Sequence, residues 1–146
     1  MFLMDTNVIS ELMKKNPEED VLRWAKEQID QKKGIHVSAF SKAEIESGIY
    51  RLLDSNKKSM LISNAESFFA GYKGLFYNFD EQSASHYARI RAETQKAGRN
   101  IDKIDNMIAA IAVQHKLILA TRNIKDFAGI HGLEVINPWR PKKEVK

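Results

Sequence analysis

Three acids stand where a small site could be assembled. Asp5 follows the apolar run Met1-Phe2-Leu3-Met4, Glu44 follows the run Ile35–Ala39, and Asp105 precedes the run Leu117–Ala120. Carboxylates brought together without a cation repel one another and drive each other toward protonation, so a cluster of them implies a bound Mg²⁺ or Mn²⁺ ion. Such an ion lowers the pKa of a water, orients it against a phosphodiester and offsets charge on the attacking and leaving oxygens. Phosphodiester hydrolysis is the chemistry that follows. Each acid also has a purely structural reading: Asp5 or Thr6 can cap a helix starting near Asn7, and Asp102 with Asp105 can cap the next one. For Asp102 capping is the preferred reading.

The elements that must position these acids are legible in the hydrophobic pattern. Apolar runs of strand length occur at Met1–Met4, Ile35–Ala39, Leu75–Phe79, Leu117–Ala120 and Leu133–Ile136, separated by longer amphipathic segments. That alternation predicts a parallel sheet covered by helices on both faces. The clearest helix follows Asp102, with Ile104, Met107, Ile108, Ile111, Ala112 and His115 on one face. A second, Phe40 to Leu53, is expected to bury Ile45, Ile49, Leu52 and Leu53, with Gly48 admitting a close neighbour. Further helices are expected over Pro17–Gln31, Lys57–Gly71 and Glu81–Lys96. In an open parallel sheet, ligands bind beyond the carboxyl ends of the strands where the strand order reverses. Asp5, Glu44 and Asp105 all fall at that edge. Periodicity does not choose between Glu44 and Glu46, which flank the apolar centre of their helix about equally at roughly 100° per residue.

The chain has 146 residues, 43% hydrophobic and 29% charged, which suits one globular domain with a real core. There is no cysteine, which excludes disulfides, thiolate nucleophiles and Cys-ligated metals. No apolar run approaches a membrane span or a signal-peptide core, so a cytoplasmic protein is expected. The net charge of +4 suits a polyanionic partner without requiring one, and part of it lies in the tail at Arg140, Lys142, Lys143 and Lys146. The expected organisation is one domain over 1–140 and a basic tail over 141–146. His36, His86, His115 and His131 show no metal-ligand spacing. Trp24, Trp139 and the Phe68-Phe69 pair read as core or dimer contacts.

Five blocks in order resemble the PIN-domain nucleases, and within them the VapC-type toxins of the FitB-like branch. They are Phe2-Leu3-Met4-Asp5-Thr6-Asn7-Val8-Ile9-Ser10, Ala43-Glu44-Ile45-Glu46-Ser47-Gly48, Asp105-Asn106-Met107-Ile108-Ala109-Ala110, Ala120-Thr121-Arg122-Asn123-Ile124-Lys125-Asp126-Phe127, and Asn137-Pro138-Trp139. The resemblance spans nearly the whole chain. It implies a three-layer α/β/α, Rossmann-like PIN domain with a mostly five-stranded parallel sheet, and Mg²⁺-dependent endoribonuclease activity in which Mn²⁺ can substitute. It also implies a homodimer and inhibition by a cognate antitoxin, through which operator DNA is reached only indirectly. Carried over, Asp5, Glu44 and Asp105 become the catalytic, metal-binding acids, and the choice of Glu44 over Glu46 comes from the resemblance. Asn123 stands where the family often has a fourth acid, so Asn123 and Asp126 are secondary metal candidates. Thr6 matches the hydroxyl beside the first acid, and Arg122 and Lys103 flank the site as phosphate-binding candidates.

Two other readings compete. An aspartate-nucleophile phosphatase needs a second acid two residues after Asp5, and that position is Asn7. A non-catalytic dimer that binds an antitoxin and strengthens its grip on operator DNA is the alternative from another class. The lack of a Gly-rich Lys-Ser/Thr loop argues against a P-loop NTPase.

Overall fold

Strand and helix alternate in the order the apolar runs predict. The computed structural model describes residues 1–31 and 34–139, so the expected tail over 141–146 lies outside the described residues. The elements are β1 (Phe2–Met4), α1 (Thr6–Leu12), α2 (Glu19–Asp30), β2 (Ile35–Ser38), α3 (Ala39–Tyr50), α4 (Asn56–Ala70), β3 (Phe76–Tyr77), α5 (Glu81–Lys96), α6 (Lys103–His115), β4 (Ile118–Ala120), α7 (Ile124–Phe127) and β5 (Glu134–Ile136). The five strands form one sheet in the order β3-β2-β1-β4-β5, and every pairing is parallel. The chain steps outward from β1 through β2 to β3, then returns to the other side of β1 through β4. The strand order therefore reverses between β1 and β4, where Leu3 pairs with Leu119 and Met4 with Ala120.

The short strands are apolar at consecutive positions because both faces of the sheet are covered. Leu3 and Leu119 enter one layer with Ile90 of α5 and Ile108 and Ile111 of α6. Phe2, Met4 and Ala120 enter the other with Val8 and Ile9 of α1 and Val21 and Trp24 of α2. There the Phe2 and Trp24 rings meet edge to face at 5.3 Å. Burying each large aliphatic side chain stabilises the fold by about 1.5–3 kcal/mol, which holds β1 as the spine of the molecule.

Helix starts are set by side-chain caps. Ser38 ends β2 and caps α3, its Oγ accepting from Ser41 N at 3.3 Å. Asp102 caps α6 through Ile104 N at 3.1 Å, as its capping reading predicts. The α6 helix ends at Lys116, which adopts the left-handed conformation at φ 54°.

Several expectations are corrected. The α3 helix stops at Tyr50, leaving Leu52 and Leu53 outside it at 43% and 89% exposure instead of buried. Among the described residues Gly48 admits no close element, since a Cβ there would meet only the Arg51 guanidinium at 3.9 Å. The third strand is two residues long and not the whole run Leu75–Phe79. The α7 helix was not expected, because a single turn is too short to show a helical period. His36 is buried in the sheet, with Nδ1 3.3 Å from the Phe2 carbonyl, and burial pulls its pKa down.

Candidate active site

Asp5 leaves the carboxyl end of β1 at the point where the strand order reverses. It is 4% exposed, and it also performs the capping role: Oδ1 accepts from Thr6 N at 2.8 Å. Its other oxygen, Oδ2, accepts from the Thr121 hydroxyl at 2.8 Å, and Asn7 Nδ2 lies 3.3 Å away. Thr121 follows β4, the strand on the far side of the reversal, so this bond closes the switch point across the sheet. The capping and clustering readings of Asp5 are therefore both realised, one by each carboxylate oxygen.

Glu44 reaches the same place from the second turn of α3. The Thr6 hydroxyl donates to Glu44 Oε1 at 2.7 Å and is hydrogen-bonded to the Ser41 hydroxyl at 3.0 Å. Glu46 is turned away and pairs with Lys42 one turn earlier on its own helix. The ambiguity left by helical periodicity is thus resolved by which flank of α3 meets α1. Asp105 arrives from the first turn of α6, half-buried, and takes no hydrogen bond to a side chain among the described residues.

The acids perturb one another. Burial pushes the Asp5 carboxyl up, opposed by its bonds from Thr121 and Thr6 and reinforced by the charges of Glu44 and Asp126. Asp105 is pushed up to about 7, first by burial and then by the negative charges of Asp5, Asp102, Glu44 and Asp126. Among the described residues neither group forms a salt bridge with a lysine or arginine that would offset that repulsion. Clustered, half-desolvated carboxylates lacking a counter-charge are the donor set of a hard divalent cation. Among the described residues no three acids or imidazoles close into a tight cage. Such a set suits a cation that keeps much of its own water and takes only one or two carboxylates directly, as Mg²⁺ does. Asp5, Glu44 and Asp105 are the residues that would hold it.

The secondary candidates are placed less uniformly. Asp126 lies in α7, exposed, near enough for its charge to be felt at Asp5 and Asp105. Asn123 is exposed at the start of α7 and makes no side-chain bond to the helix. Arg122 is exposed with its guanidinium 5.1 Å over the Trp139 ring. Lys103 is exposed at the first position of α6 and stands outside the hydrogen-bonded group.

Sequence reasoning assigned no role to Thr121, Asn7 or Ser41. Thr121 is fully buried and holds Asp5, while Asn7 bridges α1 to the β4 loop, with Nδ2 3.3 Å from Thr121 Oγ1 and Oδ1 accepting from Arg122 N at 3.2 Å. The signal was the polar triplet Asp5-Thr6-Asn7 matched by Thr121 at the end of an otherwise apolar strand.

Comparison with known proteins places this geometry in context. The PIN domain model matches residues 2–132. The chain is 38% identical to Toxin FitB of Neisseria gonorrhoeae over 140 residues, covering 95% of this chain and 99% of that one. It is 34% identical to VapC ribonuclease Y4jK of Sinorhizobium fredii over 142 residues, covering 97% and 99%. The solved structure of FitAB bound to an IR36 DNA fragment superposes with a TM-score of 0.88 at 36% identity, covering 99% of each chain.

Proposed function

Because this chain belongs to the PIN-domain family, we propose that it is the toxin of a type II toxin–antitoxin pair and an endoribonuclease that hydrolyses RNA phosphodiesters. Asp5, Glu44 and Asp105 are its catalytic, cation-holding acids. The observation that carries this reading is the meeting of acids from β1, α3 and α6 at the switch point, with Asp105 raised to about 7 by burial and by its acidic neighbours. Relatives named as a toxin and as a ribonuclease support it.

Mg²⁺, with Mn²⁺ able to substitute, would supply an activated water and charge compensation at the phosphodiester. The protein's own groups do the positioning. Thr121 and the Thr6 amide fix both oxygens of Asp5, and the Thr6 hydroxyl orients Glu44. Asp105, pushed up to about 7, can hold or release its proton near neutrality and would bind a cation as the carboxylate. Asp126 adds negative potential from α7, and Arg122 and Lys103 bind RNA phosphates outside the acids.

The partner is a cognate antitoxin that reaches operator DNA on the pair's behalf, and the toxin works as a homodimer in the cytoplasm. An apolar groove of about 360 Å³ runs from Thr6 and Glu44 past Ile45, Ile49, Leu52 and Leu61. Leu52 in that lining is 43% exposed. Exposed apolar surface continuous with an active site suits an inhibitory protein segment. No helix among the described residues is long and apolar enough to cross a membrane.

The test is to map RNA ends in cells expressing wild type beside Asp5→Asn. New ends confined to the wild type, with growth arrest relieved by the adjacent reading frame, are the expected result. Purified wild type that cuts no cellular RNA with Mg²⁺ or Mn²⁺, and is harmless when expressed, overturns the ribonuclease reading.

A further inference from the structure

The loop after β4 opens, beside Asp126, into a cleft of about 520 Å³ lined by Arg122, Asn123, Ile124, Lys125, Asp126 and Asn137. That volume lies in the range of roughly 300–1,000 Å³ in which pockets take small ligands. Its walls are held before any ligand arrives. Asn7 Oδ1 accepts from Arg122 N at 3.2 Å, tying the start of the loop to α1. The Arg122 guanidinium lies over the Trp139 ring at 5.1 Å, and Trp139 N is in turn held by Asn137 Oδ1 at 2.9 Å. From behind, Arg99 donates to the carbonyls of Lys125 at 2.9 Å, Asp126 at 2.8 Å and Ala128.

Beside the exposed apolar Ile124, the lining has two polar chemistries. Arg122 and Lys125 are exposed cations without a salt-bridged carboxylate among the described residues. They suit phosphate oxygens, and a guanidinium resting on an aromatic ring is already oriented to receive one. Asn123 and Asn137 present amides. Asn123 spends no side-chain bond on capping α7, and Asn137 uses only its oxygen, so both keep NH₂ donors available. Amides of this kind pair with the edges of nucleobases, and the Watson–Crick edges are free only where the strand is unpaired. The Asp126 carboxylate in the same lining repels phosphate, which keeps phosphates near Arg122 and Lys125.

We propose that this cleft seats one nucleotide of an unpaired RNA strand next to the bond being cut, with Arg122 and Lys125 on its phosphates and Asn123 and Asn137 reading its base. The proposal rests on the ribonuclease reading above. It moves Asn123 from the cation to the substrate: Asn123 is a specificity residue that sets which base flanks the cut.

Two measurements test it. The first is binding of a randomised single-stranded RNA pool to Asp5→Asn protein, with and without Arg122→Gln, over a range of salt. Arg122→Gln should weaken binding of all sequences several-fold and reduce the log–log salt slope by about 1. An unchanged slope removes Arg122 from the RNA path and overturns the proposal. The second maps cut sites of wild type, Asn123→Ala and Asn123→Asp on the same pool. Asn123→Ala should flatten the base preference at one position beside the cut, by about tenfold in relative rate, and Asn123→Asp should change the preferred base. An unaltered cut-site profile, or an Asn123→Asp protein whose Mn²⁺ affinity rises sharply by calorimetry, overturns the assignment and returns Asn123 to the cation site. A wild type that binds RNA with the predicted Arg122 dependence but cuts nothing sinks the nuclease reading and leaves the cleft standing as an RNA seat.

Discussion

Asp105 ties the ionisation of the site to the stability of the fold. In the cation-free protein its carboxyl keeps its proton to about pH 7, whereas the unfolded chain releases it near 3.8. The native state therefore binds that proton more tightly, so its contribution to stability is complete below the unfolded value and is lost as pH rises through about 7. Asp5, also raised by burial, acts in the same direction. Urea titrations of cation-free protein should give a lower midpoint at about pH 8 than at about pH 5, and Asp105→Asn should remove much of the difference. Equal midpoints in the wild type would show that the acids are not coupled as described. Loading reverses the penalty, so Mg²⁺ or Mn²⁺ binding should release protons near neutrality and tighten as pH rises. Thr6 offers a second test at this scale. Its hydroxyl donates to Glu44 Oε1 at 2.7 Å, and a bond to a charged group is worth about 1.5–3 kcal/mol. Thr6→Val should lower kcat by about tenfold or more, while Thr6→Ser, which keeps the donor, should restore most of it.

Two helix ends invite tests at the scale of the element. The single turn of α7 is too short to hold itself, and Arg99 satisfies its terminal carbonyls from the loop between α5 and α6. Arg99→Ala should speed amide exchange across 124–130 at a cost of about 1–3 kcal/mol locally, leaving α2 and α3 protected. Uniformly faster exchange would instead mean that Arg99 supports the whole fold. At the other end of the site-bearing layer, α6 closes on Lys116 at φ 54°, a conformation that costs a side-chain-bearing residue roughly 1–2 kcal/mol. Lys116→Gly should raise stability by up to about 1 kcal/mol, read as a higher urea midpoint with an unchanged slope.

At the scale of the molecule, the sheet divides the interior into two layers that share β1. Leu3 faces one and Phe2 and Met4 the other, so neither layer can melt without exposing the spine. Ile108, fully buried on the α6 side, should cost about 2–5 kcal/mol when cut back to Ala. Because Trp24 and Trp139, the chain's two tryptophans, both pack in the opposite layer, tryptophan fluorescence reports whether the two are one cooperative unit. In Ile108→Ala the fluorescence transition should move together with the far-ultraviolet signal. If the fluorescence keeps its wild-type midpoint, the layers unfold separately. The same architecture explains why the site sits where it does: only at the reversal between β1 and β4 do loops part to opposite sides, leaving room for acids from α3 and α6 to approach Asp5.

The alternation of strand and helix, the burial of both sheet faces, and the placing of Asp5 and Asp105 at one edge are legible in the amino-acid order alone. All of these follow from local composition: an apolar run of strand length has few ways to be buried, and an acid at its end has few places to go. Helical periodicity could not separate Glu44 from Glu46, because angle about one helix axis says nothing about which flank meets a neighbour. Only the packing of α1 against α3 decided that, through the Thr6 hydroxyl. Burial of Leu52 and Leu53 was misread for the same reason, since an apolar residue past a helix end is covered only if another element arrives there. The partnership of Thr121 with Asp5 spans 116 positions of chain and exists because β1 and β4 are neighbours in the sheet. The carboxylate cluster was thus visible as three acids, but the raised pKa of Asp105 and the fixed oxygens of Asp5 are properties of distance and burial, which only the tertiary structure supplies.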